Sequence, residues 1–273
     1  MHYQQVTISV EAQEQKDILI ALLEHIGYEG FEEQPTGLVA FIPEEEYSEA
    51  SLAEVLTPFG VEFSLQRVEQ QNWNAQWESN FSPVIVEGFC TVRAGFHDME
   101  VTTPYEIVIT PKMSFGTGHH ATTRLMMQRM GAMEFAGKKV LDFGTGTGIL
   151  AILAHMLGAT DIEAIDNDEW SYENSVENVT GNNAAEIKVK LGSLDAAEGT
   201  YDIILANINR HILLHYMSDL YDKLNPTGTV LMSGILTEDL DIIENAAEQA
   251  GFILAAREES NNWLCLLFNK KTV

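Results

Sequence analysis

Three glycines and two aspartates stand where a nucleoside could be held. Gly144-Thr-Gly-Thr-Gly148 follows Lys139-Val-Leu-Asp142, which reads as a buried strand, and precedes an apolar run over 149–157 that reads as a helix. Glycines at such a turn let the main chain approach a ligand closely, because no Cβ intervenes. Asp166 closes the next strand-like run, 22 residues after Gly144. A carboxylate there can accept hydrogen bonds from both ribose hydroxyls of an adenosine. Asp142 sets a further negative charge beside the loop, where it would repel a pyrophosphate and favour a cation.

The glycine spacing narrows the ligand. It is G-x-G-x-G, whereas the dinucleotide pattern is G-x-G-x-x-G, and bulky Ile149 stands where that last glycine would fall. S-adenosylmethionine, a cationic sulfonium nucleoside, therefore fits better than a nicotinamide dinucleotide. On this reading Asp142 lies near its methionine end and Asp166 near its ribose. The purely structural alternatives are a loop-capping carboxylate at Asp142 and a helix N-cap at Asp166.

Asn207 ends a third apolar run, Asp202-Ile-Ile-Leu-Ala-Asn207. Its amide can donate and accept, so it could hold the methionine end or orient a nucleophile, and a turn-forming asparagine is the plain alternative. Ile208-Asn-Arg210 follows it, not Pro-Pro-Tyr, which argues against transfer to a stacked amide or base. Upstream, Ser114-Phe-Gly-Thr-Gly-His-His-Ala-Thr-Thr-Arg124 reads as a glycine-rich turn entering a threonine-capped helix, with Thr122 and Thr123 free to bond a ligand or helix amides. His119 and His120 are adjacent but lack further ligands at suitable spacing, so no metal is expected. His120 is either packed in the loop or in contact with acceptor or cofactor.

The elements that must position these groups fall into two parts. Over 1–68 the reading is strand 5–10, helix 12–26, strands 30–33 and 37–43, helix 48–58 and strand 61–68, a β-α-β-β-α-β order that predicts a small α+β ferredoxin-like domain. Ile18, Leu22, Leu23 and Ile26 fall at helical spacing and predict one apolar stripe. A polar linker over 69–80 carries Trp73 and Trp77, whose four-residue spacing puts both indoles on one face of a short helix. They pack on a neighbouring domain or face substrate.

Over 81–273, strands at 84–86, 91–94 and 106–110 precede a helix at 122–133. Strands at 139–142, 161–165, 187–190, 201–207 and 229–234 then alternate with helices at 148–157, 169–181, 210–223 and 238–250, and strands at 253–258 and 263–269 finish the chain. The alternation predicts an α/β, Rossmann-like architecture, a mostly parallel sheet with helices on both faces and ligands at the carboxyl ends of its strands; with the glycine loop, Asp142 and Asp166 it is read as a class I methyltransferase domain.

Composition excludes several classes. A formal net charge of −26 opposes a nucleic-acid substrate and suits a basic partner. No apolar run approaches the roughly 18 residues of a membrane span, and no secretory leader is read, so a cytoplasmic protein is expected. Cys90 and Cys265 fit no metal or redox pattern. Asn80-Phe-Ser82 and Asn178-Val-Thr180 match the glycosylation pattern, which is taken as chance. The oligomeric state is left open.

The segment 114–124 resembles the Phe-Gly-Thr-Gly-Thr-His-Pro-Thr-Thr signature of the ribosomal protein L11 methyltransferase family. The stretch 73–81 resembles that family's interdomain linker, 142–150 its cofactor loop, Leu205-Ala-Asn-Ile208 its strand-end motif, and Ser233-Gly-Ile-Leu236 with Trp263 its C-terminal half. The resemblance implies transfer of methyl groups from S-adenosylmethionine to amino groups, N-terminal and lysine, of ribosomal protein L11, with the N-terminal domain recognising that substrate. By position it implies cofactor contacts at Thr123, Gly144, Asp166 and Asn207, beside which stand Asp142, Gly146 and Phe115. No catalytic residue is assigned; Asn207 and His120 are positioning candidates. His119, Ala121 and Asn209 depart from the family pattern, which bears on the acceptor entrance. The other readings are a class I methyltransferase with another protein or small-molecule acceptor, a non-catalytic S-adenosylmethionine-binding module and a nicotinamide oxidoreductase.

Overall fold

The computed structural model describes residues 2–69, 81–112 and 116–271. Trp73, Trp77 and Phe115 lie outside them. Two compact units divide the chain, Met1–Phe81 and Ser82–Val273.

In the first unit, strands β1 (His2–Ser9), β2 (Gly30–Gln34), β3 (Gly37–Pro43) and β4 (Phe63–Glu69) form an antiparallel sheet in the order β2-β3-β1-β4. Helices α1 (Gln13–His25) and α2 (Glu49–Leu56) join β1 to β2 and β3 to β4. Val6, Ile8, Leu19, Leu23, Leu38 and Leu52 are central to its core. The buried face of α1 matches the expected stripe at Leu23, with Ile26 packed on the core, but not at Ile18 and Leu22. Leu19 and Leu23 are buried, whereas Ile18 and Leu22 are 45% and 41% exposed. Helical spacing fits two adjacent stripes equally well, and packing on the sheet selects between them. Lys16 joins the buried face by donating from Nζ to the Gln34 carbonyl at 2.6 Å.

The second unit is built on a seven-stranded sheet ordered β10-β9-β8-β11-β12-β14-β13. Its strands are β8 (Lys139–Phe143), β9 (Asp161–Asp166), β10 (Lys188–Leu191), β11 (Tyr201–Asn207), β12 (Leu224–Leu236), β13 (Phe252–Ser260) and β14 (Trp263–Lys270). The first five in that order run parallel, and β14 lies antiparallel to both β12 and β13. Helix α3 (Ala121–Met130) precedes β8, and α4 (Ile149–Met156), α5 (Glu169–Gly181), α6 (Arg210–Asp222) and α7 (Leu240–Ala250) connect strands of this sheet. Strand order reverses between β8 and β11. At such a point the loops leave in opposite directions and open a crevice at the carboxyl ends.

A second, three-stranded sheet has the order β5-β6-β7, with β5 (Val84–Val86), β6 (Cys90–Ala94) and β7 (Tyr105–Ile109). Strand β12 begins at Leu224, earlier than the 229 expected. Tyr201 pairs with Leu224 and Ile203 with Thr229, so Asn225-Pro-Thr-Gly228 bulges out of an otherwise continuous strand. Proline and glycine are turn signals locally, and bulges absorb them.

Candidate active site

Strand β8 delivers the chain to the crevice and the glycine loop turns it back. Gly144 has φ +75°, and a Cβ there would collide with the side chain of Ile208. The Gly144 and Thr145 N–H groups both donate to the Ile165 carbonyl, at 2.8 and 3.0 Å, which sews the loop to the end of β9. Helix α4 then starts behind Gly148, φ +82°.

Asp142 lies under this loop and is 1% exposed. Its Oδ2 accepts from Thr145 Oγ1 at 2.6 Å and from the Ala151 N–H at 3.1 Å. Its Oδ1 is buried and has no hydrogen-bond partner among the described residues. Burial, opposed by those two bonds and aided by the nearby Asp166 charge, pushes its carboxyl up to about 7. Asp142 thus braces the turn of the loop and is not on the cavity wall.

Asp166 ends β9. Its Oδ2 accepts from the Gly146 N–H at 2.8 Å and its Oδ1 from the Asp168 N–H at 3.0 Å. Each carboxylate oxygen keeps a second lone pair for a ligand hydroxyl. The N-cap of α5 is Asp168, whose Oδ2 accepts from the Ser171 N–H, so Asp166 is not the cap.

A cavity of about 570 Å³ opens at these strand ends. His120, Gly144, Gly146, Asp166 and Asn207 all line it, so five of the expected residues converge. Thr123 is fully buried in α3 and reaches the site through Asn207, whose Nδ2 donates to Thr123 Oγ1 at 3.2 Å. Asn207 is 9% exposed, and its Oδ1 is buried without a partner among the described residues. An unpaired amide oxygen on a cavity wall is an acceptor awaiting a donor.

The cap of α3 is His120, not a threonine: its Nδ1 accepts from the Thr122 N–H at 3.4 Å and contacts Thr122 Oγ1 at 2.8 Å. Its ring meets Trp263 edge to face, centroids 4.8 Å apart, and both rings line the cavity. His119 instead contacts the Ser82 carbonyl through Nε2 at 2.8 Å and Thr117 Oγ1 through Nδ1 at 3.1 Å. Asn209 has a structural role, since its Oδ1 accepts from the Ile212 N–H as the N-cap of α6. Among the described residues no group of three or more His, Cys, Asp or Glu side chains could hold a metal.

Sequence reasoning missed Ser193 and Tyr216. Ser193 follows β10 and contacts the Tyr216 hydroxyl at 2.7 Å; Tyr216 packs edge to face on Phe143, centroids 5.3 Å apart, and all three line the cavity. The strand-end rule points to residues just after β10, whereas Tyr216 is findable only from its four-residue spacing from Ile212 on α6.

The residues fit an adenosyl ligand with a zwitterionic amino-acid tail. They offer a bare glycine loop, a carboxylate at the next strand end and an orphaned amide oxygen at the third. A family model described as "Ribosomal protein L11 methyltransferase (PrmA)" matches residues 2–271. A protein named ribosomal protein L11 methyltransferase from Porphyromonas gingivalis is 44% identical over 92% of this chain and 90% of its own. Another so named, from Phocaeicola vulgatus, is 37% identical over 99% of this chain and 100% of its own. The crystal structure of ribosomal protein L11 methylase from Lactobacillus delbrueckii subsp. bulgaricus matches with a TM-score of 0.66 and 30% identity, over 70% of this chain and 100% of that one. A Pyrococcus furiosus methyltransferase, TM-score 0.52 and 20% identity, covers 61% of this chain and 90% of its own and shares the fold. With motif, sheet order and relatives in agreement, the chain belongs to the ribosomal protein L11 methyltransferase family.

Proposed function

We propose that the protein transfers methyl groups from S-adenosylmethionine to amino groups of ribosomal protein L11, the N-terminal α-amino group and lysine ε-amino groups. The observation that carries this reading is the convergence of Asp166 and Asn207, each at a strand carboxyl end, on one cavity floored by the glycine loop. Asp166 would hold the ribose hydroxyls, Gly144 and Gly146 the backbone side of the nucleoside, and Asn207, set by Thr123, the amino-acid end. Bound there, the cofactor supplies a methyl group on an already activated sulfonium.

The chain's own residues then act by positioning. In-line displacement needs a neutral nitrogen held in line, and orientation alone supplies much of the rate. An α-amino group, with an ordinary pKa of about 7.7–8.0, sheds its proton more readily than lysine at about 10.4, and a desolvating wall of Ile208 and Trp263 lowers either. The Thr122 N–H donates to Nδ1 of His120, so the neutral ring carries its proton on Nε2 and serves as a wall and cap. No residue is assigned as an obligatory general base. Residues 1–68 take the substrate-recognition role, joined to the transfer domain by the 69–80 linker. Among the described residues no helix is long and apolar enough to cross a membrane. A ribosomal protein as substrate supports a cytoplasmic location, and the net charge of −26 supports a protein contact and not a nucleic-acid one. Intact-mass spectrometry of L11 from a strain lacking this gene should show lost methyls, and an L11 mass equal to the parent strain's would contradict the assignment.

A further inference from the structure

Three asparagines spaced by four, Asn174, Asn178 and Asn182, lie along one side of α5 and its C-cap. Asn174 is fully buried and Asn178 is 2% exposed. They face β7, which among the described residues pairs with β6 alone and so presents a strand edge. Asn182 Oδ1 accepts from the Val108 N–H at 2.9 Å and its Nδ2 donates to the Val108 carbonyl at 2.6 Å. Two residues on, Asn178 Oδ1 accepts from the Thr110 N–H at 2.8 Å and Asn174 Nδ2 donates to the Thr110 carbonyl at 3.0 Å. Alternate residues of a strand present their amide groups to the same edge, so the asparagine row takes the place of a neighbouring strand.

Edge protection does not need the remaining bonds. Asn178 Nδ2 donates to the Thr147 carbonyl in the glycine loop at 2.8 Å. Thr147 Oγ1 in turn donates to the Gly116 carbonyl at 2.6 Å, in the turn that leads to His120 and Thr122 on the cavity wall. Asn178 therefore uses one end of its amide on β7 and the other on the cofactor loop, and Thr147 continues the link to the His120 turn.

We propose that Asn178 and Thr147 are positioning residues that couple the cofactor loop to β7 and to the Gly116–His120 turn, so that filling the nucleoside site sets the geometry of the acceptor side. This rests on the cofactor reading above. An aspartate at 178 keeps the acceptor for Thr110 but has no donor for the Thr147 carbonyl, so it breaks only the loop half of the link. The same change at 182 strikes the β7 edge and leaves the loop alone.

The test is amide hydrogen exchange of the full chain with and without S-adenosylhomocysteine, paired with cofactor titration by calorimetry and steady-state kinetics. In the wild type the cofactor should slow exchange at Val108 and Thr110. Asn178→Asp should lose that response, weaken the cofactor by about tenfold and lower kcat as well as raising KM, as expected when a buried acceptor loses its donor. Thr147→Val, near-isosteric and lacking the hydroxyl, should lose the response at the Gly116–His120 turn. Asn182→Asp should melt earlier yet keep the cofactor-dependent protection and the kcat. Protection retained in both Asn178→Asp and Thr147→Val, or lost equally in Asn182→Asp, would overturn the coupling. Absence of cofactor binding to the wild type would overturn the cofactor reading itself.

Discussion

Asp142 gives the sharpest quantitative prediction. Its carboxyl is pushed from an ordinary 3.8 up to about 7 in the folded protein, chiefly by burial. Between about pH 4 and 7 the folded state then keeps a proton that the unfolded chain has released, so stability from this site falls as pH rises through that window and levels off above it. At 1.36 kcal/mol per unit, the full cost of ionising it in place is about 4 kcal/mol. The side-chain amide introduced by Asp142→Asn carries no charge and can still accept from Thr145 Oγ1 and the Ala151 N–H. Its NH₂ would enter the place of Oδ1, which has no partner among the described residues, and a buried unpaired donor costs about 1–3 kcal/mol. The expected net effect at pH 8 is a stabilisation of about 1–3 kcal/mol, shrinking and then changing sign as pH falls below 5. Urea unfolding of both proteins from pH 4.5 to 8.5, with matched m-values, measures the difference. A difference that does not change with pH, or that favours the wild type more at pH 8 than at pH 5, would refute the reasoning.

Other predictions follow from single contacts. Asp166→Ala should chiefly weaken the cofactor, and an unchanged calorimetric Kd would contradict the ribose assignment. Gly234, φ +84° at the β12 irregularity, lies against the Ile208 backbone, where an added Cβ would collide with the Ile208 carbonyl. Gly234→Ala should therefore cost about 3 kcal/mol or more in denaturant unfolding through strain and overpacking together, and a loss under about 1 kcal/mol would show that the Asn207–Asn209 loop yields easily. His120→Ala should lower kcat yet leave measurable turnover with the wild-type pH profile; abolished turnover with cofactor affinity and fold intact would make His120 the general base.

The strand–loop–helix unit from Lys139 to Met156 was legible because apolar runs and glycines carry the local physics of a buried strand and a tight turn. Asp166 and Asn207 were legible as candidates because strand ends are where such sheets bind. The stripe on α1 is legible at Leu23 and Ile26 and wrong at Ile18 and Leu22, because Leu19 satisfies helical spacing with Leu23 as well as they do, and only the sheet beneath decides. A threonine cap on α3 is the natural sequence expectation because hydroxyls are the commoner caps, while a histidine ring can accept the same N–H. In the sequence Asn178 shows only a chance glycosylation pattern. Its true partners, Thr110 and Thr147, are remote in sequence, and polar residues at four-residue spacing on a helix ordinarily mark a solvated face.

Methyl transfer from S-adenosylmethionine to ribosomal protein L11 is tested most directly in a purified system. The protein is incubated with L11 and S-adenosylmethionine carrying a labelled methyl group, and the label is located by peptide mass spectrometry. Label is expected on the α-amino group and on lysine side chains of L11, and none with Asp166→Ala at cofactor concentrations that suffice for the wild type. Tight cofactor binding by the wild type with no label on L11 would contradict the proposed activity.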